Sequence, residues 1–124
     1  MEAQTKKDLN QAYSELVTLL QKPGDAILAT TTAERLILLH HTLGISGEAG
    51  EIVDAVKKHV IYNQPLDLDN LIEELGDLEF YLQGLRSAIG IDRDITLIQN
   101  INKLSVRYGN SYSDVAAKER KDKL

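Results

Sequence analysis

Glu48-Ala-Gly-Glu51 and Glu74-Leu-Gly-Asp77 are two carboxylate pairs separated by 22 residues. On an α-helix, i, i+3 spacing places both acids of a pair on one side, one turn apart. If two such helices pack together, four acids converge and repel one another unless a positive charge lies between them. A hard divalent cation such as Mg2+ fits that role, because it takes oxygen ligands and carboxylates above all. Acids on the outer face of a helix would merely be solvated charges, so the reading depends on which elements carry the pairs and which way those elements turn.

The chain reads as helical, with 3.6-residue periodicity widespread and few alternating β-branched runs. A first helix is expected from about Lys6 to Gln21, with an apolar stripe of Leu9, Tyr13, Leu16 and Leu20, ended by Lys22-Pro23-Gly24-Asp25. A second should start near Thr31, where Thr31-Thr32-Ala33-Glu34 has capping-box spacing, and run to about Val60. Its core line would be Ile45, Ala49, Ile52, Val56 and Val60. Gly44, Gly47 and Gly50 each weaken helix propensity by about 1 kcal/mol relative to Ala. The helix must therefore bend near Gly44-Ile45-Ser46, or something must pack very close to it. A third helix is expected from about Asp67 to Ile89, with Leu71, Leu75, Leu78, Leu82, Leu85 and Ile89 as a seam ended by Gly90. A fourth should span roughly Asp92 to Tyr108 and bury Ile95, Ile98, Ile101 and Leu104. These elements make residues 1–110 one all-α domain of the four-helix-bundle type, with residues 111–124 as an irregular, charged tail.

On these helices the acids border the apolar seam. Glu48 and Glu51 share a stripe with His41, Gly44, Ala55 and Lys58; Glu74 and Asp77 share one with Tyr81, Gly84 and Ala88. Small residues on both stripes leave room for a ligand. Glu73 and Asp54 read as surface groups. Asn100, Lys103 and Arg107 fall on one face of the fourth helix, where an amide, an ammonium and a guanidinium suit a polyphosphate. Lys57 and Lys58 could assist or simply reach solvent. His40 and His41 have no i+4 histidine partner and read as packing residues, and Tyr81 as a core-edge aromatic with base stacking as the alternative.

The segment Leu43–Tyr108 resembles the MazG-like, all-α nucleoside triphosphate pyrophosphohydrolases. The resemblance rests on LGISGEAGEIVDAVKKHV, NLIEELGDLEFYL and NINKLSVRY, which together supply ExxE, a spacer, ExxD and an Asn-x-x-Lys-Leu-x-x-Arg-Tyr block. It implies that Glu48, Glu51, Glu74 and Asp77 bind Mg2+, with Mn2+ as a substitute. It implies that Asn100, Lys103, Arg107 and Tyr108 contact the nucleotide, with Lys58 and Tyr81 as further candidates. The implied reaction converts an NTP or dNTP to the monophosphate and pyrophosphate, with Glu48 as candidate general base. The implied assembly is a homo-oligomer, dimer or tetramer, which also suits a chain too short to enclose a nucleotide alone.

Composition narrows the alternatives. A formal charge of -5 argues against a general nucleic-acid binder, and the lack of cysteine excludes disulfides and thiolate metal sites. No apolar run approaches the roughly 20 residues that span a bilayer, and MEAQTKKDLN lacks the apolar stretch of a secretory signal, so a cytoplasmic protein is expected. A di-iron bundle is disfavoured because positions 51 and 77 are Glu and Asp rather than His. Phosphoribosyl-ATP pyrophosphohydrolase, which shares the acid logic, and a noncatalytic helical nucleotide- or metal-binding module stand as the alternatives.

Overall fold

The computed structural model describes residues 2–123, with side chains from residue 8 onward. Met1 and Leu124, the outer ends of the two segments expected above, lie outside the described residues. The elements are α1 (Glu2–Leu20), α2 (Gly24–Thr30), α3 (Ala33–Val60), α4 (Leu68–Ile89), α5 (Arg93–Tyr108), α6 (Asp114–Glu119) and a C-terminal 3-10 turn (Lys121–Lys123), with no strand among the described residues. The chain divides into two compact units, Met1–Ala33 and Glu34–Leu124.

In the first unit, α1 stops where expected, but the chain resumes as the short helix α2 with Pro23 just before it. Proline before a first turn costs no hydrogen bond, because the first N–H groups of a helix have no partner within it. Thr31 was expected to cap the next helix. Instead its hydroxyl donates back to the Ile27 carbonyl at 2.6 Å and closes α2. The stripe Leu9, Tyr13, Leu16 and Leu20 is left uncovered by its own unit.

In the second unit, α3 runs unbroken for 28 residues through all three glycines. The reason is close packing at one of them. A Cβ placed on Gly44 would strike the Tyr81 ring, and one placed on Gly84 would strike the His41 ring. Each glycine thus admits an aromatic ring from the opposite helix. The two contacts fix an antiparallel α3–α4 hairpin, in which each step forward on α3 meets a step back on α4. At the turn between the helices, Asn63 adopts φ 51° and the Gln64 carbonyl lies 2.7 Å from His59 Nδ1. Asp67 then accepts from the Asn70 N–H at 3.1 Å to cap α4, a bond worth about 1 kcal/mol. Gly90, at φ 74°, ends α4 in a Schellman motif: its N–H donates to Ser87 and that of Ile91 to Arg86.

The half-buried residues of α3 are Leu38, His41, Gly44, Ile45, Glu48, Ile52 and Asp54, the last expected at the surface, with Ala55, 8% exposed, as the one buried residue described. Its counterpart on α4 is Leu71, Glu74, Leu78, Tyr81, Leu82 and Leu85. The seam is therefore rotated from the expected core line toward the acids: Ala49, Val56 and Val60 are exposed, as are Leu75 and Ile89. On α5 none of Ile95, Ile98, Ile101 and Leu104 is buried; Ile98 is 56% and Ile101 62% exposed.

Residues beyond Gly109 are not uniformly irregular. Ser113 accepts from the Ala116 N–H at 3.1 Å and caps α6. Arg120, at φ 50°, turns the chain into the 3-10 turn, and both α6 and that turn pack on α5.

Candidate metal and phosphate site

Three of the four acids meet. Glu48, Glu74 and Asp77 each offer a carboxylate oxygen within 4.8 Å of the other two. Helix register does this: Gly44 seats Tyr81, and one turn further along each helix Glu48 comes opposite Asp77 and Glu74. Glu48 and Glu74 are half-buried and Asp77 is exposed. Oε2 of Glu48 is buried and has no hydrogen-bond partner among the described residues. The carboxyl of Glu74 is raised above its ordinary range, first by hydrogen bonding to Glu48, then by lost solvent and by the charges of Glu48 and Asp77. Close acids with an orphaned, solvent-shielded oxygen are the donor set of a hard cation, so these residues fit Mg2+.

Glu51 lies one turn beyond Glu48, is exposed, and is not brought into the three-acid group. Lys58 pairs with Asp54 at 3.0 Å, and its ammonium is favoured chiefly by the hydrogen bond and charge of Asp54, with Glu51 and Asp67 adding to it. Lys57 sits 5.6 Å from the Tyr62 ring centroid. Tyr81 belongs to the seam, with ring contacts to His40, His41 and Phe80. His41 Nδ1, packed over Gly84, is a second buried nitrogen or oxygen atom without a partner among those described.

The polar face of α5 divides. Asn100 and Lys103 line an open groove of about 610 Å³ together with Thr96, Gln99, Lys121, Asp122 and Lys123. Arg107 turns elsewhere: its Nε donates to Asp122 Oδ1 at 2.8 Å and its Nη2 to Oδ2 at 3.2 Å. This side-on, bidentate pair is well covered, with Arg107 15% and Asp122 6% exposed. Its mutual hydrogen bonds raise the Arg107 guanidinium and lower the Asp122 carboxyl relative to their ordinary values. Tyr108 lies beneath the guanidinium, 5.9 Å from ring centroid to Arg107 Cζ, and contacts the Tyr112 ring at 5.5 Å. Periodicity could not have found the Arg107–Asp122 pair, because its members are 15 residues apart on different elements. The alternation Lys121-Asp122-Lys123 is the one visible trace, an acid between two bases in an otherwise charged run.

A family model described as the MazG nucleotide pyrophosphohydrolase domain matches residues 38–110. That span holds all four acids together with Asn100, Lys103, Arg107 and Tyr108. No curated protein and no solved structure matches the chain.

Proposed function

The chain belongs to the MazG nucleotide pyrophosphohydrolase family, and on that premise we propose that it hydrolyses a nucleoside or deoxynucleoside triphosphate to the monophosphate and pyrophosphate in a Mg2+-dependent reaction. The observation that carries this reading is the meeting of Glu48, Glu74 and Asp77 around a partnerless, buried carboxylate oxygen. Glu48, Glu74 and Asp77, joined by Glu51, would hold the cation, with Mn2+ able to replace Mg2+. When bound, the cation supplies Lewis acidity at the phosphate oxygens.

The protein's own groups do the rest. Glu48 orients the attacking water and takes its proton as the water approaches the α-phosphorus. Its seat in the α3–α4 seam holds the carboxylate in place, so little orientation remains to be organised during reaction. Asn100 and Lys103 contact the phosphate chain and balance the charge that gathers on departing pyrophosphate. Arg107 and Tyr108 complete this face, Arg107 through its hold on Asp122.

A second copy of the chain is part of the proposal. The apolar positions of α5, the outer α3 residues Val53, Val56 and Val60, and Leu75 of α4 are exposed on one copy. An apolar surface that extensive marks an interface, and a dimer or tetramer would cover it. Purified protein incubated with a panel of NTPs and dNTPs plus Mg2+ tests the reaction. Monophosphate and pyrophosphate should appear in equal amounts, and Glu48→Gln should cut the rate by about 10²–10⁴. Diphosphate plus phosphate would refute the bond assignment. Nucleotide binding without any cleavage would place the chain among noncatalytic binding modules.

A further inference from the structure

Residues 121–123 fold back onto α5. Asp122 points inward and locks onto Arg107. Lys121 and Lys123, on either side of it, line the groove that already holds Asn100 and Lys103, and Asp122 itself forms part of the same wall. In a 3-10 turn, successive side chains step by roughly a third of a turn, so an inward Asp122 leaves its two neighbours flanking it. The turn is held by the Lys123 N–H donating to the Arg120 carbonyl at 2.8 Å.

Three lysines from two elements thus share one groove, in a protein whose formal charge is -5. None of the three makes a salt bridge among the described residues. Asp122 shares this wall and feels the charge of Lys103, but both of its oxygens accept from Arg107, which is its ion-pair partner. The amides of Gln99, Asn100 and Asn102 add neutral donors along the same wall; the Thr96 hydroxyl already donates to the Arg93 carbonyl at 2.7 Å. Clustered ammonium groups beside amide donors suit a chain of phosphates, whose charge is spread over many oxygens.

We propose that the C-terminal turn completes a triphosphate-binding groove: Lys121 and Lys123 join Lys103 and Asn100 as phosphate contacts, and the Arg107–Asp122 pair is the latch that holds the turn in place. The groove extends the hydrolase reading above and rests on it for the identity of the ligand as a nucleoside triphosphate. It gives Arg107 a positioning role rather than direct phosphate contact.

Inorganic tripolyphosphate, titrated into the full chain by calorimetry in EDTA, reads the groove without turnover and without the acid site. Wild type should bind, and Lys121→Ala/Lys123→Ala should weaken binding by about tenfold or more, since each hydrogen bond to a charged group contributes on that scale. Asp122→Asn should weaken it too, because the turn loses its anchor, whereas Lys118→Ala, outside the groove, should bind as wild type does. Absence of tripolyphosphate binding by wild type would overturn the proposal, as would unchanged binding by the double variant. Tighter binding by Asp122→Asn would also overturn it, by making Asp122 a competitor for Arg107 rather than a latch. The two readings fail separately. Normal nucleotide hydrolysis with an unchanged KM in the double variant removes the groove and keeps the hydrolase. Lysine-dependent tripolyphosphate binding without cleavage of any nucleotide keeps the groove and removes the hydrolase.

Discussion

Gly44→Ala tests the contact on which the acid site depends. On a free helix surface this substitution stabilises by about 1 kcal/mol, because Ala is the better helix former. Here the new methyl meets the Tyr81 ring. Overpacking of a well-fitted contact costs about 1–3 kcal/mol, so the net effect should run from near zero to about 2 kcal/mol of destabilisation. The propensity and steric contributions separate in a double-mutant cycle. With Tyr81→Ala in the background the ring is gone, and Gly44→Ala should then stabilise by about 1 kcal/mol. The coupling between the two positions should accordingly be about 1–3 kcal/mol, equal to the steric contribution. Urea denaturation of the four proteins measures it, and thermal melts should show about 4 °C per kcal/mol.

The same substitution should reach the cation. Glu48 follows Gly44 by one turn and Tyr81 follows Asp77 by one turn, so a wedge between Gly44 and Tyr81 opens the seam where the carboxylates meet. Loss of a supporting contact around a metal site typically costs 10–100-fold in affinity. A tenfold rise in the Mg2+ dissociation constant of Gly44→Ala, about, is the result to look for. Gly84→Ala, which meets the His41 ring one turn further along the hairpin, should destabilise in the same way. If both variants gained about 1 kcal/mol, as on an open helix surface, the rings would not be seated against the glycines and the register that joins the acids would be wrong.

Other expectations concern the acids and the assembly. The raised Glu74 carboxyl means that the folded, metal-free protein holds a proton more tightly than the unfolded chain. Its contribution to stability is complete below the ordinary glutamate value of 4.5 and is lost as pH rises through the raised folded value; melts in EDTA across that window check the sign. Mg2+ affinity should climb over the same window, because the ligand must shed its proton, and calorimetry in buffers of different ionisation enthalpy would count the proton released. Asp77→Asn should abolish Mg2+-dependent pyrophosphate release while leaving tripolyphosphate binding in EDTA unchanged. On α5, Ile98→Asp should dissociate the oligomer in light-scattering measurements without lowering helicity; an unchanged mass would show that this face is not the interface.

The sequence and the fold agree most closely where the signal is local. The start of α4 near Asp67 and Gly90 as its stop could be read within a few residues, and both appear as expected; the acid pairs were equally legible as spacing, but only Glu48, Glu74 and Asp77 meet, with Glu51 left exposed outside them. Thr31 was misread because two local motifs compete for one hydroxyl: the capping-box spacing looks forward, but the carbonyl of Ile27 lies behind it at the end of an unforeseen helix. The three glycines of α3 looked alike in sequence, yet only Gly44 has a side chain seated against it, while Gly47 and Gly50 have nothing within 4 Å. That distinction is tertiary. So is the fate of Arg107, whose helical face suggested phosphate and whose partner lies 15 residues away in a stretch that reads as solvated charge.

The displaced core lines point to one physical cause. Apolar periodicity records every surface that a chain buries, with no label for what covers it. On α3 the line through Val56 and Val60 and the line through Gly44, Glu48 and Ala55 are different faces of one helix; α4 covers the second and leaves the first open. On α5 the apolar stripe Ile95, Ile98, Ile101 and Leu104 stays exposed, although α6 and the 3-10 turn pack on the same helix. A helix with a polar, ligand-bearing side and an apolar side needs a neighbour on the apolar side, and here a second copy is the proposed neighbour. The acids then lie in a seam that a single chain completes, so the metal-binding step should survive dissociation while nucleotide turnover, if it needs residues from two copies, should not. Ile98→Asp therefore has a second readout: Mg2+ affinity at the wild-type level with pyrophosphate release diminished. Loss of both together would place the assembly upstream of the acid site itself, and make the α3–α4 hairpin dependent on the second copy for its own register.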